Sequence, residues 1–281
     1  MKKLLALALA SVMAFSMMAC GATETTETAT SEVASTEVAS TEATTDNDDT
    51  KFVVGFDASF PPYGYVDESG EYVGFDLDLA AEVATRNGWE LVKTPIDWDA
   101  KDMELNSGAI DCIWNGFTIN GREDKYAWSD PYVDNSQVYV VAADSGIKTV
   151  ADLAGKTVLV QADSSALAAL EAEDMAAVTA TFAALNQVPE YNTAFLDMEA
   201  GAADAVAMDI GVAKYQVESR GDKFVILEET IATEQYGVGF ALDNTALRDT
   251  VQATINEMVA DGTFAKIAEE WGLTDAVCLG K

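Results

Sequence analysis

Histidine is absent from this chain, and cysteine occurs three times in 281 residues. The first absence removes imidazole general bases, His-assisted nucleophiles and His-ligated zinc. The second leaves Cys20, Cys112 and Cys278 without metal-ligand spacing, so neither a metal nor another cofactor is implied. Bases are scarce as well: 16 Lys and Arg stand against 48 Asp and Glu, a formal charge of −32. Nucleic acid and anionic membrane surfaces are disfavoured partners for such a chain. Long apolar runs are limited to one, residues 4–19, broken only by Ser11 and Ser16. That run is short for a bilayer span. The lack of another after Cys20 argues against a built-in signalling domain that crosses the membrane.

What is there begins with processing signals. Lys2 and Lys3 precede the apolar run, and Ala19-Cys20-Gly21 follows it. Residues 1–19 have the layout of a secretory signal peptide. Cleavage before a Cys resembles a bacterial lipobox, although Met17 stands where Leu is usual. The expectation is a lipidated Cys20 and an extracytoplasmic protein anchored to the bacterial cell membrane. Ordinary secretion with an unmodified Cys20 is the alternative. Residues 20–50 are Thr, Ser, Ala and Glu with a stutter, Ser31-Glu-Val-Ala-Ser then Thr36-Glu-Val-Ala-Ser. Eight acids and no base, with little to bury, make a disordered tether.

From Lys51 onward 14 bases face 40 acids, a charge of about −26. Strands are expected at 52–56, 72–75, 91–96, 137–142, 157–161 and 204–208. Helices are expected from Asp76 to Gly88, over 99–106, 149–153 and 165–173, from Pro189 to Gly201, and in two C-terminal stripes. Leu247, Val251, Ile255 and Met258 form the first stripe, and Phe264, Ile267 and Trp271 the second. Asp76 and Asp78 suit a helix cap and first turn. The β–α alternation predicts an α/β fold with mostly parallel sheets.

Residues 115–122, Asn-Gly-Phe-Thr-Ile-Asn-Gly-Arg, close the apolar run 109–114. A strand that ends in small polar residues with backbone N–H groups, followed by a guanidinium, suits a carboxylate. Taken alone, the stretch favours a surface Arg122 paired with Asp124 or Asp130. An internal echo changes the balance. Residues 104–116 and 197–209 share a helix end, Gly-Ala, Asp and an apolar strand, at an offset of 93. Chance similarity is one reading; two similar lobes is the simpler one. Ligands of open α/β sheets sit at the carboxyl ends of strands. Facing lobes would then set Arg122 and Asp209 across a cleft, a cation and an anion for a zwitterion.

The ordered set Gly55-Phe-Asp-Ala-Ser-Phe-Pro-Pro-Tyr, Gly74-Phe-Asp-Leu-Asp, Ser107-Gly-Ala-Ile-Asp, Thr118 to Arg122, Ser129-Asp-Pro-Tyr, Val160-Gln-Ala-Asp-Ser-Ser, Ala203-Asp-Ala-Val, Tyr236-Gly-Val-Gly-Phe and Asp261-Gly-Thr resembles the polar amino-acid-binding family of bacterial solute-binding proteins, extracellular family 3. The resemblance implies a bilobed periplasmic-binding-protein-like fold of type II. Residues 51–135 plus 238–281 would form one lobe, 141–233 the other, with hinges at 136–140 and 234–237. It implies a monomeric, non-enzymatic receptor that hands an amino acid to an ABC permease and its ATPase. By the same resemblance Arg122 grips the ligand α-carboxylate, helped by Gly116 and Thr118. Gln161, Ser164 and Ser165 close from the second lobe, Asp209 takes the α-ammonium, Asp57 reaches the side-chain end, and Phe60 and Trp98 wall the pocket. On their own, Asp209 could cap the helix from Ile210, Phe60 and Trp98 could be core, and Gln161 could face solvent.

The chain departs from the family twice. Arg122 lies four residues after Thr118 where five is usual, and Asp163 stands where Gly is common. Asp tolerates positive φ better than most residues. Cys112 and Cys278 fall in one lobe by this division, so a disulfide between them is set against a buried thiol plus a tail thiol. With Arg122 and Asp209 assigned to the zwitterion, Asp57 faces the ligand side chain. That predicts a cationic or neutral polar ligand, such as arginine, lysine or glutamine, with cystine also admitted. A cleft enzyme resembling cyclohexadienyl dehydratase, with Asp57 and Asp209 as its acid–base pair, and a sensor or surface module are the alternatives.

Overall fold

The computed structural model describes residues 50–280. The leader, Cys20 and the tether up to residue 49 lie outside the described residues. The first lobe opens with β1 (Lys51–Phe56), β2 (Ser59–Phe60), β3 (Gly64–Val66) and β4 (Tyr72–Val73). β2, β3 and β4 form a small antiparallel sheet, turned at 67–70 by the Asp67 carboxylate, which accepts the N–H groups of Ser69 and Glu71. Helix α1 (Phe75–Asn87) starts at Gly74, φ 147°, and stops at Gly88 in the left-handed region. A side chain at Gly74 would place its Cβ 2.2 Å from the Tyr63 carbonyl oxygen, so only glycine lets the helix begin there. β5 (Glu90–Pro95), a 3₁₀ turn at Trp98–Ala100 running into α2 (Lys101–Ser107), β6 (Cys112–Ile113) and β7 (Ala127–Trp128) complete the unit. Its main sheet runs β5-β1-β6, all parallel, and continues through a return strand to β7.

The second lobe is built on β8 (Val133–Ala142), β9 (Thr157–Gln161), α3 (Ser165–Glu171), α4 (Ala176–Thr179), β10 (Ala184–Val188), α5 (Tyr191–Glu199), β11 (Ala205–Asp209), α6 (Ile210–Ser219) and β12 (Phe224–Tyr236). The order is β10-β9-β11-β8-β12, with the first three parallel and the last two antiparallel to their neighbours. β9 and β11 are apolar almost end to end because helices cover both faces of a parallel sheet. The chain returns through β13 (Gly239–Phe240), which pairs with β6 and β7, then α7 (Thr245–Asp261) and α8 (Thr263–Glu270) against α1. The two lobes are therefore joined by β8 leaving the first and β12 returning to it, paired with each other from Phe224↔Ala142 to Tyr236↔Val133.

The echo at offset 93 is a repeated physical device. α2 ends in left-handed Gly108, with Ala109 N–H on Glu104 O; after α5 Gly201 is left-handed, with Ala202 N–H on Asp197 O. Each helix is thus stopped by the same αL turn and delivers a strand, β6 or β11, to the middle of a sheet.

Two expectations are corrected, and two strands lie where none was expected. Asp76 is no cap: Gly74 holds that position, and the fully buried Asp76 carboxylate accepts Gly116 N–H at 2.6 Å and Tyr132 O–H at 2.9 Å. No disulfide joins Cys112 to Cys278. Cys112 is sealed in β6 between β1 and β13, where burial pushes its thiol up, while Cys278 N–H bonds Tyr132 O at the foot of β8. The 13-residue β12 and the strand β10 went unread, since their alternation is interrupted by exposed acids and amides.

Candidate ligand-binding site

The carboxyl ends of β1, β6, β9 and β11 converge on the seam between the lobes. Beyond β6, Gly116 sits at φ 56° with its Cβ position 2.7 Å from Phe60 Cε1 and 3.0 Å from Tyr236 Cε2. Its N–H is held by Asp76, so the donor anticipated for a ligand carboxylate is engaged within the lobe. Thr118 is buried; its hydroxyl donates to Glu234 Oε1 at 2.8 Å and lies 3.1 Å from Ser165 Oγ of the other lobe.

Arg122 pairs with neither Asp124 nor Asp130. Its guanidinium donates to Thr118 O at 3.3 Å and, across the seam, to Asp163 O at 3.1 Å, with Cζ 5.3 Å from the Phe117 ring centroid. Asp163 does take positive φ, 53°, in the position where glycine was the expected residue. Its carboxylate forms an ion pair with Lys101, whose buried side chain also reaches Trp98 O at 3.3 Å. Burial lowers the Lys101 pKa and Asp163 raises it back in part. Lys101 was not anticipated, because one Lys in an amphipathic helix carries no sequence signal of its tertiary partner. A cavity of 390 Å³ opens beside this group, lined by Arg122, Lys125, Asp163, Ser164, Ser165 and Glu234 among others.

Gln161 is buried, not solvent-facing. Its Nε2 donates to Asp57 Oδ2 at 2.6 Å, a further cross-lobe bond, and to Pro189 O at 3.1 Å. Burial pushes the Asp57 carboxyl up to about 6 against the hydrogen bonds from Ser59 and Gln161. Asp57 and Trp98 line a cavity of 400 Å³ whose other charged groups, Asp97, Glu104 and Glu190, are all acids. Trp98 also packs edge-on to Phe117 at 5.4 Å, and Phe60 stacks near Tyr63 and Tyr191. Both aromatics therefore belong to the core as well as to the seam. Ser164 serves as the N-cap of α3, accepting Leu167 N–H and donating to Gln161 O.

Asp209 stands at the N-cap of α6 but makes no side-chain cap. Its carboxylate turns inward, where Oδ1 accepts Asn135 Nδ2 at 2.8 Å, Gln137 Nε2 at 2.7 Å and Tyr236 O–H at 2.6 Å. Glu234 joins it: Oε1 accepts Asn135 at 2.7 Å, Gln137 at 2.8 Å, Thr118 and, at 3.3 Å, Ser165. Burial, then the Glu234 charge, lift Asp209 to about 7. Sequence reasoning missed Asn135, Gln137, Glu234 and Tyr236. The available signal was period two: Asn135 and Gln137 share one face of β8, Glu234 and Tyr236 one face of β12. Register then sets Gln137 opposite Asp209 and Asn135 opposite Glu234.

The seam thus gathers Thr118, Ser165 and Asp209 in one cluster, Asp57 and Gln161 in a second, and Arg122 with Asp163 and Lys101 in a third. Such an arrangement can hold a small polar molecule bearing both a cation and an anion, provided the lobes part to admit it. Residues 52–274 match the bacterial extracellular solute-binding proteins, family 3. The L-cystine-binding protein TcyJ of Escherichia coli (strain K12) is 29% identical over 222 residues, 78% of this chain and 81% of that protein. The ABC transporter arginine-binding protein 1 of the same strain is 26% identical over 226 residues, 79% and 90% of the two chains. An ABC uptake transporter substrate-binding protein from Streptococcus pneumoniae, solved with bound histidine, is 34% identical, with a TM-score of 0.76 over 80% of this chain and 93% of that one.

Proposed function

The chain belongs to the bacterial extracellular solute-binding proteins, family 3, and from that premise we propose that it captures a polar L-amino acid, cationic or neutral, for an ABC importer. The observation that carries this reading is the distribution of charge along the seam. Arg122 is aimed at the second lobe, whereas Asp209 and Glu234 are buried together with only neutral donors between them. A zwitterion satisfies both ends at once. Arg122 takes its α-carboxylate with Thr118 and Ser165, Asp209 its α-ammonium, and Asp57 with Gln161 the side-chain end beside Trp98 and Phe60. Gly116 contributes by conformation and Ser164 by capping α3. The acid-lined cavity at Asp57 disfavours glutamate and aspartate, whose carboxylates would meet Asp57, Glu104 and Glu190 without a counter-charge. Relatives named for arginine and cystine, and one solved with histidine, agree with that class.

Closure would be a rotation of residues 141–233 against 51–135 plus 238–281 about β8 and β12 at 136–140 and 234–237. The protein acts as a monomer, binds without chemistry, and passes its cargo to a membrane permease driven by an ATPase. Its place is outside the cytoplasmic membrane, held by lipid on Cys20 after removal of residues 1–19. Release of a Cys20→Ala variant into the medium tests the anchor, and retention at the membrane counts against it. The central experiment is calorimetry against the twenty amino acids, ornithine and cystine. Binding of arginine, lysine, histidine, glutamine or cystine is expected, with no turnover of a prephenate-like substrate. Tight binding of glutamate alone would sink the assignment.

A further inference from the structure

Asp209 and Glu234 accept hydrogen bonds from the same two nitrogens, Asn135 Nδ2 and Gln137 Nε2, at 2.7 to 2.8 Å. Two oxygens that share one donor at such lengths are no more than about 5.5 Å apart. The remaining donors, from Tyr236, Thr118 and Ser165, are neutral hydroxyls. Among the described residues neither carboxylate has an ion-pair partner. The amide oxygens of the same two residues, Asn135 Oδ1 and Gln137 Oε1, are buried without a hydrogen-bond partner. The cluster therefore holds two formal anions and surplus acceptors, and what it lacks is a compact cation with several N–H groups.

Resting on the amino-acid-receptor reading above, we infer that Glu234 is a second carboxylate for the ligand α-ammonium, and that the Asp209–Glu234 pair releases a proton as the ammonium enters. The three N–H bonds of an ammonium match Asp209, Glu234 and one seam hydroxyl. A neighbouring like charge in a buried site disfavours ionisation, so up to about pH 7 the empty site retains part of a proton at Asp209 that the ammonium displaces. Other titratable groups facing the pair do not supply the charge. Tyr63 from the β2–β3 turn, Tyr191 from α5 and Tyr236 from β12 are phenols held well above their ordinary range by burial. Across the cavity beside Glu234 lie Arg122, Lys125, Asp163 and Glu171, with Arg122 held on two carbonyls and Asp163 paired to Lys101.

The test is calorimetry of L-arginine, or of whichever amino acid binds tightest, in buffers of different ionisation enthalpy. With Asp209 at about 7, the wild type should release about half a proton at pH 7 and about 0.1 at pH 8. Asp57, at about 6, contributes about 0.1 at pH 7. Glu234→Gln should weaken binding about 10- to 100-fold at pH 8 and move the release midpoint to lower pH. The proton count on the wild type needs no variant to fold. Absence of proton release at pH 7, or wild-type affinity in E234Q, overturns the inference while leaving the receptor reading in place. Failure of every amino acid to bind overturns both.

Discussion

Replacing Asp209 by Asn should stabilise the empty protein while crippling it. The carboxyl is 4% exposed, and burial with the Glu234 charge lifts it from 3.8 to about 7. The native state then binds this proton more tightly than the unfolded chain does, so stability from this group falls as pH rises from about 4 through about 7 and is level above. At about 1.4 kcal/mol per pH unit the full penalty is on the order of 4 kcal/mol, and structural relaxation reduces it. An Asn can retain the three donors on its Oδ1 and carries no charge. D209N should therefore gain on the order of 2–4 kcal/mol at pH 8 and nothing at pH 4. For a domain of this size that is roughly 5–15 °C in Tm. Melting curves at pH 4, 5 and 8, with and without saturating amino acid, measure it. Saturating ligand should reverse the order at pH 8, because the ammonium relieves the wild-type repulsion and finds one carboxylate fewer in the variant. A D209N apoprotein no more stable than wild type at pH 8, or a gain independent of pH, refutes the reasoning.

Arg122→Ala should cost at least about 100-fold in affinity, the loss of a charge-assisted carboxylate contact; unchanged calorimetric affinity would remove the site itself. Lys101→Met cuts the cross-seam pair with Asp163 and should shift the ligand-free population towards open lobes by a factor of roughly 2–5. A larger radius of gyration in X-ray scattering is the expected readout, and an unchanged radius speaks against a latch. Gly116→Ala puts a methyl 2.7 Å from Phe60 at positive φ, costing about 1–3 kcal/mol. Its Tm should fall and its affinity with it, whereas a neutral result would mean that the loop is free to move.

Composition and local pattern determined much about this protein. The lack of His, the two-lobe echo, the α/β alternation and the αL glycines after α2 and α5 are properties of neighbouring residues, and 3.6- and 2-residue periods report them directly. The strand echo pointed to Arg122 and Asp209 at facing carboxyl ends, whereas Asp57 and Gln161 were named only through the family resemblance. What only the tertiary structure decided is which side chains meet across the seam. Glu234 comes within bonding distance of Thr118, 116 residues away, and of Ser165, 69 away. Lys101 finds Asp163 62 residues on. Nothing local marks such a partner, because the register of β12 on β8 sets one approach and closure of the lobes sets both. The same holds for Asp76, read as a helix cap, and for Cys112, where a bridge and a buried thiol both stood open: burial decides each, and burial is a property of the packed chain.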